Sequence, residues 1–153
     1  MERSPTFSLL EVGDRILSIK LSHGGHLSHG DAASMTSRCF DFQHYGLNLK
    51  TEQIDYDELE NLARDFRPRM IVAGASSYPR LIDYEKMAEI ARSISAYFMV
   101  DMAHIAGLVA AGVIPGPVPH ADFVTFTTYK TLNGGRGGVI LCRQEHAQKI
   151  SRT

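Results

Sequence analysis

Short apolar runs and amphipathic stretches alternate along the chain, and the two patterns predict different elements. RILSIK, residues 15–20, reads as a strand, and RMIVAG, residues 69–74, is a continuous apolar run of the kind that forms a parallel strand covered on both faces. AYFMVD (96–101), ADFVTFTT (121–128) and GGVILC (137–142) read as three further strands. Between the first two, IDYDELENLARDF places Leu59, Leu62 and Phe66 at helical spacing behind Asp55, an N-cap with Glu58 three residues on, and Pro68 ends the helix. Asp83 caps a second helix with Met87, Ile90, Ala91 and Ile94 on one side. AHIAGLVAAG (103–112) predicts a short helix packed closely through small residues, and SLLEVGD reads as the last turn of a helix closing at Gly13. Strands alternating with helices predict an α/β fold with a central, mostly parallel sheet flanked by helices.

In such sheets the carboxyl ends of the strands form the ligand crevice. Ser76 and Ser77 follow RMIVAG, Asp101 closes AYFMV and Lys130 follows DFVTFTT, so three chemical groups fall at such ends. Asp101 alone reads equally as the cap of the next helix, and Lys130 alone as a solvated strand end. Together they suit a pyridine-aldehyde cofactor, in which the lysine amine forms an imine and the carboxylate keeps the ring nitrogen protonated. Glycines 134, 135, 137 and 138 around Arg136 allow close backbone approach or positive φ, or simply make a tight turn; Arg136 suits holding that turn. Thr125, Thr127 and Thr128 fit ordinary strand positions, with Thr127 and Thr128 near enough to Lys130 to touch a ligand.

HGGHLSHG sets His23, His26 and His29 three residues apart. Metal coordination is the rival reading, but paired glycines do not favour a regular helix there and no acidic or cysteine ligand stands beside them, so no metal is expected. A planar imidazole could instead lie against an aromatic cofactor. His104, three residues after Asp101, is either a second polar group of the site or a surface histidine, and Ser76 is a donor to the cofactor or a turn serine.

At 153 residues and 44% hydrophobic, the chain suits one domain or a piece of a larger one. Sixteen Lys+Arg against 17 Asp+Glu leave a net charge of -1 with no basic block, so no nucleic-acid or anionic-membrane partner is expected. Cys39 and Cys142 form no C-x-x-C pair and read as free thiols; with no secretory signal or membrane span in the pattern, a cytosolic setting is expected.

LSHGGHLSHG, SSYPR, VDMAHIAGLVAAGVIPGPVPHADFVTFTT and YKTLNGGRGG resemble, in order and interval, the middle of the serine hydroxymethyltransferase family, over nearly the whole chain from about SLLEVGD onward. The resemblance implies the large domain of a fold-type I pyridoxal-phosphate transferase that interconverts serine and glycine with tetrahydrofolate as one-carbon carrier, homodimeric when intact. It implies Lys130 as the imine-forming lysine, Asp101 as partner of the pyridine nitrogen and His26 as the ring stacked on the cofactor. Ser76 and His104 would contact the cofactor's ring oxygen or the substrate, Thr127 would lie beside the substrate, and Leu21, Gly25, His26 and Leu27 would match the folate-site segment.

The sequence departs from that pattern at Tyr129, where the family carries histidine before the lysine, at Gly135, where it carries proline, and at Asn133, a varied position. The family's phosphate cup, the residues that complete a partner's site and the C-terminal small domain have no counterpart in residues 1–153, so the expectation is an incomplete or truncated form. Tyr129 keeps open a threonine aldolase or transaldolase built on the same scaffold. A non-catalytic remnant that pairs with a homologue is the reading from a different class.

Overall fold

A computed structural model describes residues 9–151. Six strands form the main sheet: β1 (Arg15–Ile19), β2 (Asp41–Tyr45), β5 (Met70–Ala73), β6 (Tyr97–Asp101), β7 (Phe123–Thr127) and β8 (Gly138–Cys142). Their spatial order is β2-β1-β5-β6-β7-β8. All neighbours run parallel except β7 and β8, which are antiparallel. A separate antiparallel pair, β3 (Leu47–Asn48) and β4 (Gln53–Ile54), follows β2. The predicted α/β architecture is therefore present, with the strand assignments displaced by one or two residues at their ends.

Burial explains the order of the sheet. All four residues of β5 are buried, as its unbroken apolar run requires of a central strand. One face carries Leu17, Ile71, Phe98, Val100 and Val124 against helices α2 (Tyr56–Phe66) and α3 (Tyr84–Ser93). The opposite face buries Ile16, Met70, Val72, Met99 and Phe123, with Leu10, Cys39 at the end of α1 (Met35–Cys39) and Ile150 in α5 (Ala147–Ser151) packed on them.

The helix caps are the ones the sequence specified. The Asp55 carboxylate accepts from the Glu58 amide at 3.0 Å and Asp83 from the Lys86 amide at 3.0 Å. Helix α2 ends on Arg67, a non-glycine residue at φ 51°, because Pro68 cannot continue it. Tyr45 crosses the sheet beneath β1 and donates its phenol to the Val72 carbonyl at 3.1 Å, and full burial pushes its ionisation far up.

Several elements are absent from the sequence reading. Edge strand β2 exposes alternate polar residues, and α1, β3, β4 and α5 are each five residues or fewer, too short for periodicity to resolve. The SLLEVGD reading is also corrected. Leu9 is helical, but Gly13, at φ 93°, closes a turn in which the Asp14 amide donates to the Glu11 carbonyl. Ser8 and the residues before it lie outside the described part.

Asp83→Ala removes the cap of the helix that covers the central strands. It is expected to lower unfolding free energy by about 1 kcal/mol, read from the shift of the urea midpoint at unchanged slope.

Candidate active site

The carboxyl ends of β5, β6 and β7 are adjacent, and the turns that leave them converge. Where β5 ends, Gly74 takes φ +112°, and a Cβ there would stand 2.0 Å from the Asp101 carbonyl oxygen; only glycine lets the two strand ends lie this close. The Ser76 amide then donates to the Gly24 carbonyl at 2.8 Å, which draws the histidine loop over the sheet. That loop is irregular, as expected from its glycines: one 3-10 turn spans Leu21–His23 and a second Leu27–His29.

Asp101 is not a helix cap. Its Oδ1 accepts from the Ala103 amide at 3.0 Å, whereas α4 (Ala106–Ala110) has Ile105 at its cap position and no side-chain cap bond. Oδ2 lies 3.2 Å from Nε2 of the buried His29, which donates to it. Burial alone would raise the carboxyl pKa, but the His29 hydrogen bond and charge, the Ala103 amide and the charge of His26 outweigh it and hold it below the ordinary value of 3.8. The result is a carboxylate with both oxygens anchored and lone pairs to spare.

Lys130 is half-buried, and its Nζ lies 3.2 Å from His104 Nε2, a hydrogen bond that an ammonium donates to a neutral imidazole. Burial, then the Lys130 charge, lowers the His104 pKa below 6.5. Burial, followed by the charge of His29, does the same to His26. The His26 ring centre is 5.6 Å from that of His29 and 6.1 Å from that of His104, so the three imidazoles join the Asp101 and Lys130 ends of the site. On the far side of Lys130, the Gly107 amide of α4 donates to Thr131 Oγ1 at 3.0 Å and ties the lysine's loop to that short helix.

Two buried hydroxyls at these strand ends, Ser76 Oγ and Thr127 Oγ1, have no hydrogen-bond partner among the described residues, and neither does His29 Nδ1. Unsatisfied polar atoms at the ends of strands adjoining β6, which carries the anchored carboxylate, fit a polar aromatic ligand that would satisfy some of them. A cleft of about 440 Å³ opens beside His26 and His29, with Ile19, Leu21, Gly30 and His44 among its walls. Leu21 and Leu27 each open a 3-10 turn and remain 43% and 54% exposed, while Gly25 between them is buried.

The glycine-rich stretch forms the turn between antiparallel β7 and β8, the plainer of its two readings. None of glycines 134, 135, 137 and 138 has positive φ; Asn133 does, at 55°. Asparagine tolerates this conformation because its short polar side chain pairs locally. Thr128 Oγ1 donates its one proton chiefly to the Gly135 carbonyl, with the Gly137 carbonyl as a longer, shared acceptor, and the Thr128 amide donates to the Gly137 carbonyl, so the threonine, not Arg136, holds the turn. Arg136 lies over the Tyr129 ring, 4.7 Å from its centre, and Tyr129 is 41% exposed.

His23 Nδ1 accepts from the Leu47 amide at 2.9 Å, which commits that ring to the β3 backbone. No group of three or more His, Cys, Asp or Glu among the described residues is arranged to hold a metal ion. The sequence reading weighed His29 only as a third imidazole of that rival site. Its pairing with Asp101 spans 72 residues of sequence and had no local signal.

A family profile described as serine hydroxymethyltransferase matches residues 4–153. The chain belongs to the serine hydroxymethyltransferase family. A curated serine hydroxymethyltransferase of Desulforapulum autotrophicum is 61% identical over 145 residues, which cover 95% of this chain and 35% of that relative. The chain thus spans about a third of the length of the serine hydroxymethyltransferase it resembles.

The lowered histidine pKa values predict how stability depends on pH. A histidine whose folded pKa lies below 6.5 binds fewer protons than it does unfolded, so stability falls as pH drops below about 6.5. Asp101 adds a contribution that is complete above 3.8 and lost as pH falls through its depressed folded value. The urea midpoint is expected to be lower at pH 5 than at pH 7.5, and His104→Gln should narrow that difference.

Proposed function

We propose that this chain is part of the large domain of a pyridoxal-phosphate-dependent serine hydroxymethyltransferase, acting on serine, glycine and tetrahydrofolate. The observation that carries the reading is the doubly anchored Asp101 carboxylate joined, through His26, His29 and His104, to the half-buried Lys130. Family membership and the order of motifs support it as well.

When bound, pyridoxal phosphate supplies an aldehyde for amines and a protonated ring that withdraws electrons from the substrate's α-carbon. Asp101 would hold the proton on the ring nitrogen, since its lowered pKa keeps it anionic near neutrality. Lys130 is the amine for the aldehyde, and His104 Nε2, 3.2 Å from Nζ, is placed to take the proton that the amine must lose. His26, uncharged near neutral pH, would present a flat ring to the cofactor face. Ser76 and Thr127 would supply hydroxyls, unpaired among the described residues, for the cofactor's ring oxygen and the amino-acid substrate.

Leu21, Gly25, His26 and Leu27 form the segment for the folate ring: two exposed leucines flanking a buried glycine give an apolar surface next to the histidine. The intact enzyme would pair with a second copy. A cytosolic setting accords with Cys39 and Cys142, both free, and no helix of the described residues is long and apolar enough to cross a membrane.

Tyr129 motivated the threonine-directed alternative, but its ring is engaged by Arg136, which supports a structural part for it. Activity on threonine with an aldehyde acceptor, unaffected by folate, would favour that alternative.

Mixing the purified chain with pyridoxal phosphate is expected to give a visible absorbance band that borohydride removes and that Lys130→Ala lacks. No band in the parent chain would favour a non-catalytic remnant. Asp101→Asn should keep the band but weaken cofactor binding by at least about tenfold, the effect of losing a hydrogen bond to a charged group.

A further inference from the structure

Strand β1 contains one polar residue in its buried run. Ser18 is 0% exposed, between Leu17 and Ile19. Its hydroxyl has a single proton, and the 2.6 Å contact to the His29 carbonyl uses it. The Ser18 oxygen can therefore only accept from His44 Nδ1, 3.0 Å away, which makes His44 the Nδ1–H tautomer. Ser18 and His44 are direct partners in the parallel register of β1 and β2, so the bond is built into the sheet.

His44 also stacks on Phe42, two residues earlier on the same face, with ring centres 6.2 Å apart and planes 14° from parallel. Gly30 rests on this shelf at φ +106°. A Cβ there would meet Phe42 Cδ1 at 2.4 Å and His44 Cε1 at 2.9 Å. The His29–Gly30 segment is thus held by the Ser18 hydroxyl and by contact with β2. This matters because, among the described residues, the His29 ring has one hydrogen bond, from Nε2 to Asp101, and its buried Nδ1 has none. Among the described residues no hydrogen bond reaches the far edge of the ring, so its aim depends on the packing around it and on the backbone that carries it.

We propose that Ser18 and His44 are positioning residues: together they fix the His29 backbone, and through it the imidazole that orients Asp101. The proposal rests on the reading of Asp101 as partner of the cofactor's ring nitrogen. It links edge strand β2 to the site through β1, across the sheet order β2-β1-β5-β6.

The test reads the His29 ring directly, by long-range nitrogen-proton NMR of the chain without cofactor, with His29→Gln used to assign its signals. The parent chain should show one tautomer, protonated at Nε2. Ser18→Ala and His44→Leu should move the His29 nitrogen shifts toward a tautomer average. Pyridoxal phosphate affinity should fall about tenfold in both, the scale seen for residues that orient a ligating group, while the borohydride-sensitive band still forms. His44→Asn, which keeps an N–H near the Nδ1 position, should restore both readouts. Unchanged His29 shifts in Ser18→Ala and His44→Leu, or a His44→Asn variant as impaired as His44→Leu, would overturn the proposal. A parent chain that takes up no cofactor would instead defeat the functional reading, and the cofactor-free spectra would still decide the positioning.

Discussion

A carboxylate at the end of a buried strand costs several kcal/mol unless donors meet it, and the way Asp101 is met organises the surrounding structure. The Ala103 amide takes one oxygen and His29 Nε2 the other, so the charge survives burial and remains fixed in direction. Each donor imposes a demand elsewhere. Ala103 can donate only if the chain turns sharply after β6. His29 can reach across only if the loop after β1 folds back over the sheet, which the Gly24 carbonyl secures by accepting from the amides of Ser76 and Ser77.

The same economy of backbone contacts governs the lysine. Lys130 stands at the mouth of a turn pinned by Thr128, on whose surface Arg136 covers the Tyr129 ring, and its next residue, Thr131, is tied to α4. The small residues of the short helix therefore bring His104 within hydrogen-bond distance of Nζ. Tyr129, which departs from the histidine expected by resemblance, spends its aromatic face on Arg136. In this chain the departure is absorbed by the turn, which also accommodates Asn133 in a left-handed conformation beside its glycines.

Regular elements with a strong period were legible from residues alone: α2 and α3 with their aspartate caps, and the apolar strands β5 and β6. Edge strand β2 was not, because it alternates polar side chains and gains its identity only by pairing with β1. Among the candidate site residues, Asp101, Lys130, His26 and His104 stood out because chemistry recurred at strand ends and because the motif order resembled a family. His29 stood out only as a possible metal ligand, and Ser18 not at all. Each is an ordinary residue locally, and its part is visible only once the partner is known.

What the sequence determined by itself was the set of strands and helices with strong periodicity, the family, and the short list of groups able to do chemistry; these depend on side-chain patterning over a few to a dozen residues. Tertiary structure decided which groups touch. Hydrogen bonds such as Ser18 to the His29 carbonyl and His29 to Asp101 join residues 11 and 72 positions apart, and such pairings are set by strand order and register, which no local window contains.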